Sequence, residues 1–247
     1  MEVHHHSHSS RKKWTHYFWE FFMLFLAVTL GFFVENQREH FIEKKRAKEY
    51  ARLLADDLNF DIAELNRAER VLNHIITAGD SLALLLSDND VRKIPGGKLY
   101  YYEYWSGWRW SIISRDATLQ QLKNSGGLRL IRKHHVADSI AKYDVTVRFL
   151  SMQNELEESL INDYRETASN IFDARIFDQM LDSNNNVSKI LKEDPKLLAF
   201  TQKELQHWNY RMYAMKALNK AIRRDARIFL QQAVNLLNTL EKEYPAK

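Results

Sequence analysis

The stretch HYFWEFFMLFLAVTLGFFVEN, His16 to Asn36, decides how the rest of the chain is read, because its apolar run lies close to the first residue and carries a carboxylate, Glu20. From Trp14 to Val34 there are 21 residues, of which only Thr15, His16, Glu20 and Thr29 are clearly polar. At ~1.5 Å per residue a helix of that length covers ~31 Å, which matches a hydrocarbon core of ~30 Å. Starting after the glutamate leaves about 21 Å, too short without thinning the bilayer. Glu20 therefore falls at or inside one membrane boundary. A cleaved signal peptide is disfavoured, since bulky Phe32 and Phe33 stand where a small-residue cleavage site would be needed.

Two readings of Glu20 follow. Trp14, Tyr17 and Trp19 form an aromatic belt that would put the interface at this end and let the carboxylate reach outward. Alternatively, His16, Glu20, Ala27 and Gly31 recur at steps of four, seven and four residues, so they share one helical stripe. Ala27 and Gly31 are a small-xxx-small pair that lets two helices approach closely, and Glu20 would then face a partner helix.

The composition narrows the rest. Seven glycines and three prolines in 247 residues, clustered between long uninterrupted segments, point to an all-α protein. The formal charge of +4 arises from 36 basic and 32 acidic residues spread along the chain, so no field directs it to nucleic acid. The absence of cysteine removes disulfides, thiol nucleophiles and cysteine metal sites, and fits either side of a bacterial inner membrane. Residues 1–13 read as a basic, His-rich tail in which His4, His5, His6 and His8 give incidental metal affinity.

Orientation is read from flanking charge. Arg11, Lys12 and Lys13 precede the span, while Arg38, Lys44, Lys45, Arg46, Lys48 and Arg52 follow it, so a bare count would place the C-terminal part inside. A short basic tail before an uncleaved apolar segment is nevertheless the usual signal-anchor arrangement, and long domains cross largely regardless of charge. The reading adopted is a cytoplasmic N-terminus and a periplasmic body.

Beyond residue 34 the pattern is helical. No glycine or proline interrupts Gly31 to Gly79, and Leu54, Leu58, Ile62, Leu65, Leu72 and Ile76 recur at helical spacing. A second helix is expected from about His135 to Leu181, with Val136, Ile140, Tyr143, Val147, Leu150, Leu156, Leu160, Tyr164 and Ile171 as its apolar face. A third is expected after EDPK, with Asp194 capping and Pro195 at the first helical position, to about Tyr244. The expected fold is an N-terminal transmembrane helix (14–34) continuing into an elongated antiparallel helical bundle (35–247) with short connections.

The oddest stretch is KLYYYEYWSGWRW, residues 98–110, with seven aromatic residues of thirteen. Either Tyr101, Tyr104, Trp105, Trp108 and Trp110 present a partner or ligand surface, or the segment is a lid packed over the bundle. Next, Asp116 or Thr118 can cap a short helix that Gly126 and Gly127 end; this pair lacks the other residues of a phosphate loop. On the last helix Lys216, Lys220, Arg223, Arg224 and Arg227 recur at helical spacing, either as a surface for an anionic partner or as a solvated face.

The spacing of the polar residues matches no familiar catalytic or metal-binding pattern. Glu204 and His207 make one Glu-x-x-His pair with no second, which reads as surface chance rather than half of a di-iron site. Asp56-Asp57 and Glu157-Glu158 read as exposed helix faces, and no hydrolase, kinase or zincin motif occurs. No cofactor, metal ligand or catalytic residue is assigned, and the reading is non-enzymatic.

The segments MEVHHH, YFWEFFMLFLAVTLGFFVENQREH, EKKRAKEYARLLADDL and LKNSGGLRLI resemble an uncharacterised family of small, single-pass, membrane-anchored helical proteins from Bacteroidota. The resemblance covers the first sixty residues well and 116–145 loosely. It implies native N-terminal histidines, a Glu20 within the anchor motif and a body facing away from the cytoplasm; it implies no activity. The function expected is a non-enzymatic membrane interaction or scaffolding protein, a homo-oligomer or part of a membrane complex, in contact with lipid. The alternative is a sensory or transport accessory, with a ligand-binding bundle or a proton-linked Glu20.

Overall fold

The computed structural model describes residues 14–87, 90–184, 187 and 190–245, so the histidines at 4, 5, 6 and 8 and the basic residues 11–13 lie outside the described residues. The chain divides into two compact units, Met1–Glu49 and Tyr50–Lys247. Among the described residues it is all-α, with six α-helices and one isolated antiparallel bridge between Leu181 and Val187.

Helix α1 (Trp14–Ser87) runs without interruption for 74 residues, as the absence of helix breakers predicts. Its first part belongs to the first unit, where residues 14–39 are all exposed. An 18-residue window there reaches a mean hydropathy of 1.9 with none of it buried, and α1 is the one helix among the described residues long and apolar enough to cross a membrane.

In the second unit the remainder of α1 packs with α4 (His134–Ser169) and α6 (Gln202–Glu243), joined by shorter α2 (Gly96–Ser106), α3 (Ala117–Asn124) and α5 (Ala174–Asp178). Side-chain pairs give the directions. Between α4 and α6, Lys133 meets Glu243, Gln153 meets Asp225 at 2.7 Å and Asp163 meets Arg211 at 3.2 Å, so these helices are antiparallel. Between α1 and α6, Glu69 meets Arg227 at 2.8 Å, Asn73 meets Arg223 at 2.6 Å and Asp80 meets Lys220 at 2.9 Å, again antiparallel.

It follows that α1 and α4 run the same way, so the connection between them is a crossover and, contrary to expectation, the bundle is not antiparallel throughout. Acids on α1 secure its return. Trp110 donates to Glu64 at 3.2 Å, Ser114 to Asp61 at 2.6 Å and the backbone N–H of Thr118 to Asp57 at 3.3 Å, leading the chain back along the helix it has just left. Gly126 then closes α3 at φ 68°, a left-handed conformation that costs glycine little.

The α1 stripe is as its period implies: Leu54, Leu58, Leu65, Leu72 and Ile76 are buried, and Ile62 half-buried. On α4 the expected face holds from Val136 to Leu150, but Leu156 is exposed and Glu157 is buried in its stead. Arg109 explains the exchange, donating to Glu157 at 3.2 Å and to the carbonyl of Asn154 at 3.0 Å, so the inward position on that turn belongs to an ion pair. Burial pushes the Glu157 carboxyl up, and the contacts of Arg109 offset only part of that. Glu157 is thus not the exposed surface acid that its neighbourhood in sequence implies.

Two helix boundaries also differ from expectation. α4 ends at Ser169, and α6 begins at Gln202 behind a capping box in which Thr201 and Glu204 satisfy each other's backbone N–H groups. Asp194 does not cap its own helix: its carboxylate accepts the N–H of Gly96 at 2.7 Å, at the start of α2. The segment 190–201 consequently lies extended across α2, held further by Leu198 N–H on the carbonyl of Ile171 at 2.9 Å. Gly96 and Gly97 permit that passage, since a Cβ would sit 1.8 Å from the Pro195 carbonyl oxygen and 2.3 Å from that of Leu191.

Candidate functional site

The aromatic stretch does not form one surface. α2 turns its residues in different directions: Tyr100 is fully buried, while Tyr101, Tyr102, Tyr104 and Trp105 pack half-buried against the core around Leu99, Tyr164 and Trp208. Tyr101 and Tyr102 line a separate hollow of roughly 420 Å³ shared with His74 and Ile190. Trp105 lies edge-on to His74, ring centroids 4.2 Å apart, and Trp110 sits under Arg67 at 4.8 Å against a different part of the core.

Tyr104 and Trp108 stay together, stacked at 5.5 Å. They form one wall of a cleft of roughly 360 Å³ between α2, the C-terminal turns of α4 and α5. Phe172 and Phe177, 6.1 Å apart, line the same cleft, with Phe177 6.2 Å from Tyr104, and Arg165 lies at the cleft with its guanidinium donating to the carbonyl of Gly107 at 3.2 and 3.0 Å.

Glu103 lines the same cleft and is 3% exposed. One turn of α2 puts it at the centre of the aromatic stretch, and its Oε2 accepts the phenol O–H of Tyr164 from α4 at 2.5 Å and the indole N–H of Trp208 from α6 at 3.0 Å. Burial pushes this carboxyl up to about 7, and the two hydrogen bonds restrain the rise without cancelling it. Tyr164, buried beside it, is driven well above the ordinary phenol range by the same burial and by the neighbouring carboxylate. The arrangement is a carboxyl that changes charge near neutrality at an aromatic cleft, which can hold a proton or face a cationic group.

A second buried acid lies on α1. Asp61 accepts Ser114 Oγ at 2.6 Å, the Arg115 N–H at 2.7 Å and Tyr143 O–H at 2.7 Å, and burial raises it above the ordinary carboxylate range despite all three. No cleft opens on it among those described, and it ties the crossover to α1 and α4.

The other expected residues fall as follows. In the first unit His16 Nε2 lies 3.0 Å from Glu20 Oε1, one turn apart and both half-exposed, and a Cβ on Gly31 would meet nothing within 4 Å. The basic residues of α6 are all engaged: Lys216 and Lys220 with Asp80, Arg223 with Asn73, Arg224 with Asp225 and Arg227 with Glu69. Four of the five thereby bind α6 to α1. Glu204 is spent in the capping box, and among the described residues no group of three or more potential metal ligands is assembled.

The residues that sequence reasoning missed are Glu103, Tyr164, Arg165, Phe172, Phe177 and Trp208. One signal was available: Glu103 is the sole acid in residues 98–110. Among the described residues the fold is all-α, with one helix long and apolar enough to cross a membrane. No family model, curated protein or solved structure matches the chain.

Proposed function

We propose that this is a non-enzymatic, single-pass protein of a bacterial inner membrane, of the Bacteroidota kind it resembles, whose periplasmic helical body is an interaction module and whose anchor self-associates through His16, Glu20, Ala27 and Gly31. The observation carrying the reading is that the apolar part of α1 buries nothing within the protomer, so lipid and other helices are its natural cover. The space around Gly31 adds to it: the glycine is not required by packing within its own chain, and a close-approaching second helix supplies a reason for it.

The test follows from the same space. Gly31→Ile meets nothing within its own chain, and both it and Ala27→Ile thicken the stripe, so each lowers the oligomer fraction in mild detergent, whereas Thr29→Ile on the opposite face does not. Unchanged mass for both stripe variants overturns the seam.

A second reading, a sensory or transport accessory, is favoured by the Glu103 cleft. A module built only to scaffold has no need of a buried carboxyl at an open aromatic cleft. In this reading the body binds a small ligand and passes the consequence to a membrane partner.

A further inference from the structure

We propose that the cleft between α2, α4 and α5 is a binding site for a small organic ammonium ion, with Glu103 as counter-charge and Tyr104, Trp108, Phe172 and Phe177 as its aromatic walls. This rests on the ligand-binding reading above and names the class of ligand.

The argument is one of charge and shape. Glu103 is 3% exposed, and its two partners are a phenol and an indole, both neutral donors that use one oxygen, Oε2. No basic side chain is among the groups that act on it. A carboxylate buried without a cation is costly, and the cheapest remedy is a cation brought into the cleft that it lines. The lining suits the same visitor: ring faces attract cations, most strongly where water is excluded, and four rings along one cleft offer apolar surface to the body of an amine. A volume of roughly 360 Å³ lies near the lower end of ligand sites, so the occupant is compact.

Arg165 is the one basic residue lining the cleft, and its charge argues for an anion instead. Its geometry argues otherwise, because two of its nitrogens are committed to the carbonyl of Gly107. The titratable groups around Glu103 are Tyr104 on α2 and Tyr164 on α4, both raised by burial, with Arg165 on α4 at the cleft. From α5 and α6 the facing side chains are Phe177 and Trp208, which do not titrate. Between pH 6 and 8 Glu103 is thus the group whose charge changes, and an ammonium ion binds the charged form.

The experiment uses the full chain in detergent micelles and three phenylalkyl probes of similar length, phenethylammonium, phenylpropanol and phenylpropanoate, titrated by calorimetry at pH 6 and pH 8. The expected result is binding of phenethylammonium about tenfold tighter at pH 8 than at pH 6, following the ionised fraction of a group near 7, with proton release seen as a dependence on buffer ionisation heat. Phenylpropanol binds more weakly, and phenylpropanoate more weakly still. Glu103→Gln removes the pH dependence and at least about tenfold of the cation affinity. Ala174→Trp fills the cleft from its exposed edge without touching the Glu103 hydrogen bonds, and abolishes binding with an unchanged circular dichroism spectrum.

Preference for phenylpropanol or phenylpropanoate, lost in Ala174→Trp, keeps a ligand site and overturns the ammonium assignment. Binding of phenethylammonium that ignores both pH and Glu103→Gln also overturns it. Absence of any binding, with wild type and Ala174→Trp indistinguishable, overturns the site as well.

Discussion

The Oε2 atom of Glu103 lies 3.0 Å from the indole nitrogen of Trp208, 105 positions later in the chain, and the same oxygen accepts the hydroxyl of Tyr164. One carboxyl oxygen thus joins α2, α4 and α6. Tyr164 and Trp208 are fully buried, and Glu103 is 3% exposed where it lines the cleft. The junction is both structural and, through the carboxyl's proximity to the cleft, chemical.

The first prediction concerns pH. Burial raises Glu103 from an ordinary carboxylate value to about 7 in the folded state. A raised acid binds more protons folded than unfolded, so its contribution is fully present below the unfolded value and is lost as pH rises through about 7. The change amounts to about 3 kcal/mol, an order-of-magnitude figure. Chemical denaturation of the full chain from pH 5 to 8 should therefore show a falling stability that Glu103→Gln flattens, since the amide oxygen still accepts hydrogen bonds but does not titrate. A variant with the wild-type slope would place the titration elsewhere.

Asp61 yields the second prediction. Removing its side chain in Asp61→Ala strands the buried Tyr143 hydroxyl, the Ser114 hydroxyl and the Arg115 N–H together. An orphaned buried donor costs about 1–3 kcal/mol, and the part-buried Ser114 and Arg115 donors add less, so a loss of about 3 kcal/mol is expected. Tyr143→Phe, which removes one donor and strands no buried nitrogen, should cost about 1 kcal/mol. Equal losses for both variants in denaturant titration would show that Asp61 is not the hub of the crossover.

Much of this was open to sequence reading, and the limits are physical. The α1 stripe and the αL turn at Gly126 are set by local rules, helix periodicity and glycine's tolerance of positive φ, so they could be read directly. Leu156 could not be placed, because its exposure depends on Arg109 claiming the adjacent inward position for Glu157 from 48 residues away. The crossover was likewise hidden: Asp57, Asp61 and Glu64 look like surface acids until residues 110–118 lie beside them. For the candidate site, the aromatic stretch was visible as an anomaly, but which rings share a cleft depended on Phe172, just past the end of α4, and Phe177 of α5. Asp194 shows the same limit in miniature, a capping residue with the right neighbours whose partner lies 98 positions earlier.

Gly97 offers a third prediction, on backbone approach. A Cβ there would lie 2.3 Å from the Leu191 carbonyl oxygen and 3.3 Å from that of Glu193, both backbone atoms that cannot swing aside. Gly97→Ala must move the segment 190–196 or the start of α2, although alanine is the better helix former by about 1 kcal/mol. Overpacking of this kind costs about 1–3 kcal/mol, so the net effect is destabilising, with a lower melting temperature and faster proteolysis within 190–201. A stabilised Gly97→Ala would mean that the extended segment does not pass over α2.

The basic stripe of α6 supplies the last prediction, because two roles for it lead to different outcomes. If Lys216, Lys220 and Arg227 serve to hold α6 on α1, their partners Asp80 and Glu69 matter as much as they do. Asp80 illustrates the balance: burial pushes its carboxyl up, and the hydrogen bonds of Lys220 and Lys216 outweigh that and hold it below the ordinary value. Asp80 is about half-exposed, so solvent screening keeps the pair small. Asp80→Asn should cost no more than about 1 kcal/mol, and the loss should shrink in high salt. The same substitution also releases two lysines. A stripe that merely ties two helices gains no partner from this, whereas a surface for anions becomes more positive and binds acidic vesicles more tightly. Asp80→Asn is therefore expected to lower stability slightly and to leave cosedimentation of the full-length protein, reconstituted with its anchor shielded in nanodiscs, with phosphatidylglycerol vesicles unchanged at physiological salt. Increased cosedimentation without loss of stability would assign the stripe to an anionic partner instead.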